Sequence, residues 1–325
     1  MESRLYTPVL FLIFNQPKIT MQTFQEIRKA RPKKLFISAD GPRLHKQGEF
    51  EECAETRKAV LEAIDWDCQV NTRFLETNLG CKSAVSSAIT WFLDQAEEGI
   101  ILEYDCVPSQ SFFTFCQELL EKYRHEPRVM AVSGSNYQLG QVRGNATYYF
   151  SRIPSAWGWA TWKRAWSHWD GKAAAFPSFQ GRGAIQGQFR SQRTRDFWTF
   201  KFDQCHKAIE KTWGYPWCFA VANHDGVCAS PNVNMVTNVG FTENATNAVD
   251  TSSSFANVPR YELGIITHPD TLVPDAEADE FFTDRLAYLK PRERFIRGIK
   301  RFALYFLPVC CHGDLKSLYR KLKRG

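Results

Sequence analysis

Gly99-Ile100-Ile101-Leu102-Glu103-Tyr104-Asp105-Cys106-Val107-Pro108 is the segment on which the reading of the chain turns. Its first half is a short apolar run with no polar residue inside it, the pattern of a strand buried on both faces. The run ends abruptly in acidic residues, and Pro108 stops regular continuation. Open α/β sheets bind their ligands at the carboxyl ends of their strands. Asp105 is therefore a candidate ligand for a hard divalent cation, because carboxylate oxygens suit Mg²⁺ or Mn²⁺ holding a diphosphate. The same acid would serve equally well to cap the next helix, and the segment alone does not separate the two roles.

Outward from this strand, the first half of the chain alternates apolar runs with helical patterns. Residues 9–14 predict a strand, and 18–30 a helix with Met21, Phe24 and Ile27 at helical spacing. Residues 35–39 predict a second strand, 50–64 a helix, 68–74 a third strand and 81–95 a helix that turns Val85, Ala88, Ile89 and Phe92 inward. Residues 99–103 are the fourth strand, 109–125 a helix opened by Ser109, and 128–133 a fifth strand. Alternation of this kind predicts an α/β fold, a mostly parallel, Rossmann-like sheet covered by helices on both faces. After Gly134 aromatics, glycines and polar residues take over, as in Trp157-Gly158-Trp159-Ala160-Thr161-Trp162. Residues 173–195, poor in apolar side chains, are expected to contain a mobile loop, and the Ser-rich stretch 250–256 a surface connector. The organisation expected is a ligand-binding half over 1–135, a second, aromatic-rich half of the same domain over 136–270, and a tail over 271–325.

The 325 residues, 44% hydrophobic and 23% charged, are those of a soluble globular protein. Aromatics reach 14%, with ten tryptophans; they suit stacking on sugars or bases and suit an aromatic core equally well. Ten cysteines form no C-x-x-C pair, so scattered thiols such as Cys68, Cys106, Cys116 and Cys205 read as small buried groups in a reducing compartment. No secretory signal is legible at the start and no run reaches membrane-spanning length, so a cytoplasmic location is expected. The net charge of +6 belongs to the tail: residues 291–325 hold ten Lys or Arg against Glu293 and Asp314, leaving 31 basic and 33 acidic residues elsewhere. A nucleic-acid-binding core is not implied. In the tail Phe295, Ile296, Ile299, Phe302 and Phe306 interleave with Arg294, Arg297, Lys300 and Arg301. That pattern fits either a helix lying on an anionic membrane surface, at the inner face, or a terminal helix with a solvated basic face.

In a parallel sheet three strand ends converge: Asn15-Gln16-Pro17, Asp40-Gly41-Pro42 and Glu103-Tyr104-Asp105. Asp40 could accept hydrogen bonds from a base or ribose, or cap a turn. Asn78-Leu79-Gly80 stands just before a helix, where a glycine lets backbone approach a ligand. Together these outline a nucleotide cleft.

Residues 8–17, 38–43, 78–92, 99–123, 155–166 and 231–246, in that order, resemble a bacterial, family-2-like group of GT-A-fold, nucleotide-sugar-dependent glycosyltransferases. More remotely, the acid-bearing strand, its helix and the Gly-Trp element resemble N-acetylglucosaminyltransferase I-type enzymes. The resemblance implies transfer of a sugar from a nucleotide-diphospho-sugar to a hydroxyl of a glycan or glycolipid precursor. It implies that Asn15 and Asp40 contact the nucleoside, and that Asn78, Gly80 and Lys82 lie along the donor cleft with Glu103 and Tyr104. Asp105, last acid of a D-x-D-like motif, would hold Mn²⁺ or Mg²⁺ on the diphosphate. Trp157, Gly158 and Trp159 would shape the donor-sugar and acceptor side.

Departures from the group fall on the chemistry. Tyr104 stands where an acid is usual, and Gly214, in Trp213-Gly214-Tyr215-Pro216-Trp217, where an Asp is the base by analogy. Asn247 replaces a His, Lys82-Ser83-Ala84 opens a helix that normally starts Gly-Lys-Gly, and Gln16 replaces a frequent Arg. Losing a general base costs roughly 10²–10⁴ in rate. Asp203 and Asp225 are the replacement bases put forward, with Glu103 and Glu243 as further acids in the right regions. The alternative is an impaired homologue that binds nucleotide sugar or a glycan-assembly partner without turnover; a nucleotidyltransferase or an unrelated α/β binding protein is the third class.

Overall fold

In the computed structural model, residues 5–241 and 253–288 are described. The basic tail, Glu243 and Asn247 lie outside them. The chain divides into two compact units, Met1–Phe282 and Thr283–Gly325. Among the described residues no helix is long and apolar enough to cross a membrane.

The first half follows the pattern read from the apolar runs. In order come β1 (Val9–Ile13), α1 (Pro17–Ala30), β2 (Lys34–Ala39), α2 (Glu49–Glu62), β3 (Gln69–Phe74), α3 (Cys81–Leu93) and β4 (Glu98–Glu103). Then follow β5 (Cys106–Pro108), α4 (Gln110–Lys122) and β6 (Val129–Ser133). The second half has β7 (Tyr148–Ser151), β8 (Trp159–Trp162), α5 (Lys163–Trp166), α6 (Phe176–Gly181), α7 (Ala184–Gln188), α8 (Gln192–His206), α9 (Gly214–Asn223), β9 (Val227–Pro231), β10 (Val236–Asn238) and α10 (Ala276–Tyr288).

Eight strands form one sheet in the order β3-β2-β1-β4-β8-β6-β9-β7, and β10 pairs with β5 in a separate ribbon. β1 through β4 run parallel, β6 and β9 share their direction, and β7 and β8 run against them. This is the Rossmann-like, mostly parallel sheet expected of a GT-A type fold. Alternation along the strands feeds two cores. Val9, Phe11 and Ile13 pack with Phe24 and Ile27 of α1, Val60 of α2 and the apolar face of α4. Leu10, Leu12, Phe36 and Ile101 pack on the other face with Val85, Ile89 and Phe92 of α3 and with Trp217 and Val221 of α9. Each large apolar side chain so buried contributes about 1.5–3 kcal/mol, which is why β1, buried along its whole length, carries no polar residue.

Two expectations are corrected. The loop expected over 173–195 contains α6 and α7, fixed by Phe176, Phe179, Ile185 and Phe189, all buried. Few apolar residues suffice there because these four are large and buried. The Ser-rich stretch is not wholly surface: Phe255 is 2% exposed, edge-on to Tyr137. Cys106, Cys116 and Cys205 are free and buried, as read from composition, while Cys68 is only half-buried.

The first turns of α10 carry a buried acid. Asp279 accepts hydrogen bonds from the Ser151 hydroxyl (2.6 Å) and the Arg152 amide (3.1 Å). Burial nevertheless pushes its carboxyl from 3.8 up to about 7. The folded chain therefore holds this proton more tightly than the unfolded one. Its contribution to stability is complete below the ordinary carboxylate range and is lost as pH rises through about 7. Asp279→Asn should flatten the fall in denaturant midpoint between pH 4 and pH 7 relative to the parent; parallel curves would remove this account.

Candidate functional site

The strand order reverses at β1: β2 lies on one side of it and β4 on the other, both parallel to it. The crevice at the carboxyl ends of β1 and β4 is thus the topological switch point, where a nucleotide fits in sheets of this kind. Phe14-Asn15-Gln16 leaves one wall and Tyr104-Asp105 the other. They touch: Gln16 Nε2 donates to the Tyr104 hydroxyl at 3.4 Å. From below, Thr23 Oγ1 of α1 donates to the Tyr104 carbonyl at 2.8 Å, fixing the turn that follows β4.

Glu103, Tyr104 and Asp105 are each partly exposed, yet enough protein surrounds them to disfavour charge. Burial, then the neighbouring Asp105, raises the Glu103 carboxyl to about 8, although the Trp213 side chain hydrogen-bonds to it. Burial raises Asp105 to about 6, against the hydrogen bond from the Cys106 thiol at 3.6 Å. The Tyr104 phenol is pushed far up by burial and by both acids. Two carboxylates at one strand end, both made reluctant to ionise chiefly by burial, form a site whose charge a cation would offset.

The ribbon of β5 and β10 closes over Asp105. Val239 N donates to the Asp105 carbonyl at 2.9 Å, and Gly240 N to Asn238 Oδ1 at 2.8 Å. Gly240 passes so near the Asp105 side chain that a Cβ built there would overlap a carboxylate oxygen and lie 2.7 Å from the carboxyl carbon. Glycine is required here by close approach alone. Antiparallel β8 brings Trp157 and Gly158 to the same edge, since Ile101 pairs with Trp159. Gly158 needs both of glycine's freedoms: its φ is +68° and a Cβ would meet Val236. The half-buried Trp157 ring stands edge-on to Tyr137, Phe241 and Phe255.

Several expected ligand contacts have protein partners instead. Asp40 accepts from the amides of Gly41 (2.8 Å), Leu79 (2.9 Å) and Gly80 (3.2 Å) and from Asn78 Nδ2 (2.9 Å). It therefore ties the end of β2 to the start of α3, and burial raises its pKa despite those bonds. Asn78, whose amide also reaches the Gly41 carbonyl, and Gly80, at φ +78°, belong to the same tie. Asn15 Nδ2 donates to Glu49 Oε1 at 3.1 Å and more weakly to Glu52. Lys82 Nζ donates to the carbonyls of Gly171 (2.6 Å) and Glu210 (3.3 Å), joining two loops.

Three placements are corrections. Trp159 is 1% exposed, stacked on Trp213 at 5.5 Å and packed on Trp217; it is core, not cleft. Asp225 immediately precedes β9, so it stands at the amino edge of the sheet, opposite Asp105, paired with Arg152 at 2.7 Å. Asp203 is held by Lys207 one turn along α8, at 2.7 Å. Asp225 is therefore not brought to the Glu103–Asp105 pair, and the partner that Asp203 has is Lys207. What the sequence reading missed is Trp213 as the partner of Glu103, Gly240 as the lid on Asp105, and the Gln16–Tyr104 contact. The Asn238-Val239-Gly240-Phe241 stretch was visible as a motif, but nothing local says which acid it covers.

Among the described residues no group of three or more His, Cys, Asp or Glu side chains gathers as a metal site. No family model and no curated protein matches the chain. Among solved structures, HddC from Yersinia pseudotuberculosis aligns over 49% of this chain and 77% of its own, at 9% identity and a TM-score of 0.31. A UDP-glucose pyrophosphorylase complexed with UDP-glucose aligns over 41% and 64%, at 12% identity and 0.25. A 4-diphosphocytidyl-2C-methyl-D-erythritol synthase from Anaerococcus prevotii aligns over 62% and 84%, at 11% identity and 0.28. At these scores the likenesses carry no inference about this chain.

Proposed function

We propose that the chain is a glycosyltransferase, moving a sugar from a nucleotide-diphospho-sugar to a hydroxyl of a glycan or glycolipid precursor. The observation that carries this reading is the acid pair Glu103–Asp105 at the switch-point crevice between β1 and β4. Nucleotides bind at that point in open α/β sheets, and a diphosphate brings the negative charge that a metal-loaded carboxylate recognises.

The oxygen donors present fit a hard cation. One or two carboxylates completed by substrate phosphates is an ordinary Mg²⁺ or Mn²⁺ arrangement, so three clustered protein ligands are not needed. Asp105, partly exposed and framed by Gly240, would hold the ion, with Glu103 beside it. When bound, the ion would neutralise charge on the departing nucleoside diphosphate. The chain's own part is positional. Trp213 lies beside Glu103, Thr23 fixes the turn that aims Asp105, and Asp40 holds the start of α3 at the rim. Trp157 offers an aromatic edge to a sugar at the same rim.

One observation favours a second reading, a binder without turnover. Tyr104 replaces an acid of the D-x-D-like motif and reaches Gln16 across the crevice. A panel of UDP- and GDP-sugars with Mn²⁺ decides between the two. A transferase should release nucleoside diphosphate, with water taking the sugar where no acceptor hydroxyl is supplied, and be stabilised by nucleotide plus metal, by about 2.7 kcal/mol at a hundredfold excess over Kd. Stabilisation without release selects the binder. No stabilisation by any nucleotide–metal pair sinks both.

A further inference from the structure

We propose that the outer edge of β3 is an interface through which two copies of this chain join, β3 antiparallel to β3, into one continuous sheet. β3 is an edge strand of the eight-stranded sheet, with β2 on its paired side. An edge strand presents a row of open amides and carbonyls, which folds commonly shield with proline, lysine, a bulge or a covering segment. The opposite edge, β7, is shielded. Thr147 and Thr267 bond each other amide to hydroxyl in both directions, at 3.0 Å, and Asp275 N donates to the Phe150 carbonyl at 2.7 Å.

β3 carries none of these shields. Gln69-Val70-Asn71-Thr72-Arg73-Phe74 pairs with β2 without a register shift and holds no proline or lysine. Its one charged side chain, Arg73, donates to the hydroxyls of Ser38 (3.4 Å) and Ser87 (3.1 Å). Among the described residues no hydrogen bond reaches the outer side of the strand. The ladder fixes which groups are open. Gln69 N donates to the Lys33 carbonyl and Leu75 N to the Ala39 carbonyl, both toward β2. Directions alternate along a strand, so Asn71 and Arg73 also turn toward β2, while Val70, Thr72 and Phe74 turn amide and carbonyl outward. Thr72 is exposed there.

These three residues are complementary to themselves. In an antiparallel ladder, residues that both face the partner exchange both of their bonds. Centred on Thr72, the pairing sets Thr72 against its own copy and Val70 against Phe74, and every outward amide and carbonyl of the strand is used. No other antiparallel self-pairing of β3 uses them all. Val70 and Phe74 are only partly buried against the core, so each covers what the other leaves exposed. An aromatic ring against a β-branched side chain is a favourable cross-strand pair. Beyond the strand the same register sets Glu76 opposite Cys68 and Asp67 opposite Thr77, so no like charges meet. A second copy matches this register by identity, and the contact closes at two copies because each β3 has one free side. The two crevices then open in opposite directions, and the interface stands whether or not they bind a nucleotide.

Sedimentation of the full chain between about 1 µM and about 100 µM measures the association. The parent should pass reversibly from monomer to dimer. Thr72→Asp and Thr72→Lys each set like charges face to face on the two-fold axis and should weaken the dimer at least about tenfold. Their melting midpoints at the lower concentration should stay near the parent's, because the side chain is exposed. Mixed in equal amounts, the two variants should form a heterodimer at least as tight as the parent dimer. Hydrogen exchange of the parent needs no substitution: the amides of Val70, Thr72 and Phe74 should exchange more slowly at the higher concentration, and those of Asn71 and Arg73 at unchanged rates. A chain monomeric throughout, a dimer indifferent to both substitutions, no recovery on mixing, or outward amides indifferent to concentration would each overturn the proposal.

Discussion

Replacing Asp105 by alanine should abolish metal-dependent binding of nucleoside diphosphates and leave the chain folded. The two halves of this expectation come from the same geometry. The Asp105 carboxylate receives a long, weak hydrogen bond from the Cys106 thiol at 3.6 Å, and burial raises its pKa, so it lends the fold little. The contact that orders this stretch is the Val239 amide on the Asp105 carbonyl, which the substitution leaves in place. Stability should therefore change by no more than about 1 kcal/mol. Binding should change far more. Losing an outer partner of a metal ligand costs about 10–100-fold, so losing the ligand itself should cost more than about a hundredfold. Calorimetric titration of UDP and GDP with Mn²⁺ into parent and variant, beside thermal melts of both, measures each half. Parent-like affinity in a folded variant would take the divalent-cation assignment away from Asp105. Asp105→Asn, which keeps the shape and removes the charge, should behave as Asp105→Ala does; if it binds normally, shape rather than charge is what the site uses.

The sheet was legible because parallel strands buried on both faces write themselves as apolar runs of fixed length. Val9, Phe11 and Ile13 serve one core and Leu10 and Leu12 the other, so no polar residue interrupts them. The second half was less legible for a related reason. β7 and β8 are also buried on both faces, but aromatics and short length hide them among turns. In Trp157-Gly158-Trp159-Ala160-Thr161-Trp162 the tryptophans look like a ligand-facing cluster. In the fold Trp159 enters one core and Trp162 the other, and only Trp157, ahead of the strand, reaches the rim. Candidate acids failed where edge mattered. A carboxylate in sequence carries no sign of which end of the sheet it occupies, and Asp225 precedes its strand where Asp105 follows one. Asp40 and Asn78, both expected along a nucleotide cleft, meet in the fold, and the bond between them shows that such a meeting can serve the loop itself.

Gly240→Ala should disable the same site from the other side, without touching a charge. A methyl group at 240 would overlap the Asp105 carboxylate oxygen and lie 2.7 Å from the carboxyl carbon and 2.9 Å from Cβ. Either the side chain of Asp105 turns away or the ribbon of β5 and β10 lifts. Overpacking of this kind costs about 1–3 kcal/mol, and both responses move the acid, so nucleotide–metal affinity should fall together with the melting temperature. Gly214→Ala is the matched control. Nothing lies within 4 Å of a Cβ built there, and it opens α9, so alanine should be neutral or slightly stabilising. The double variant Asp105→Ala, Gly240→Ala separates contact from general damage. With the carboxylate gone, the nearest two overlaps vanish and the Cβ contact at 2.9 Å remains. The stability cost of Gly240→Ala should then shrink by at least about 0.5 kcal/mol, a coupling that only touching residues show. An unchanged cost in the Asp105→Ala background would mean that Gly240 does not frame the acid, and the closure of the ribbon over Asp105 would have to be abandoned.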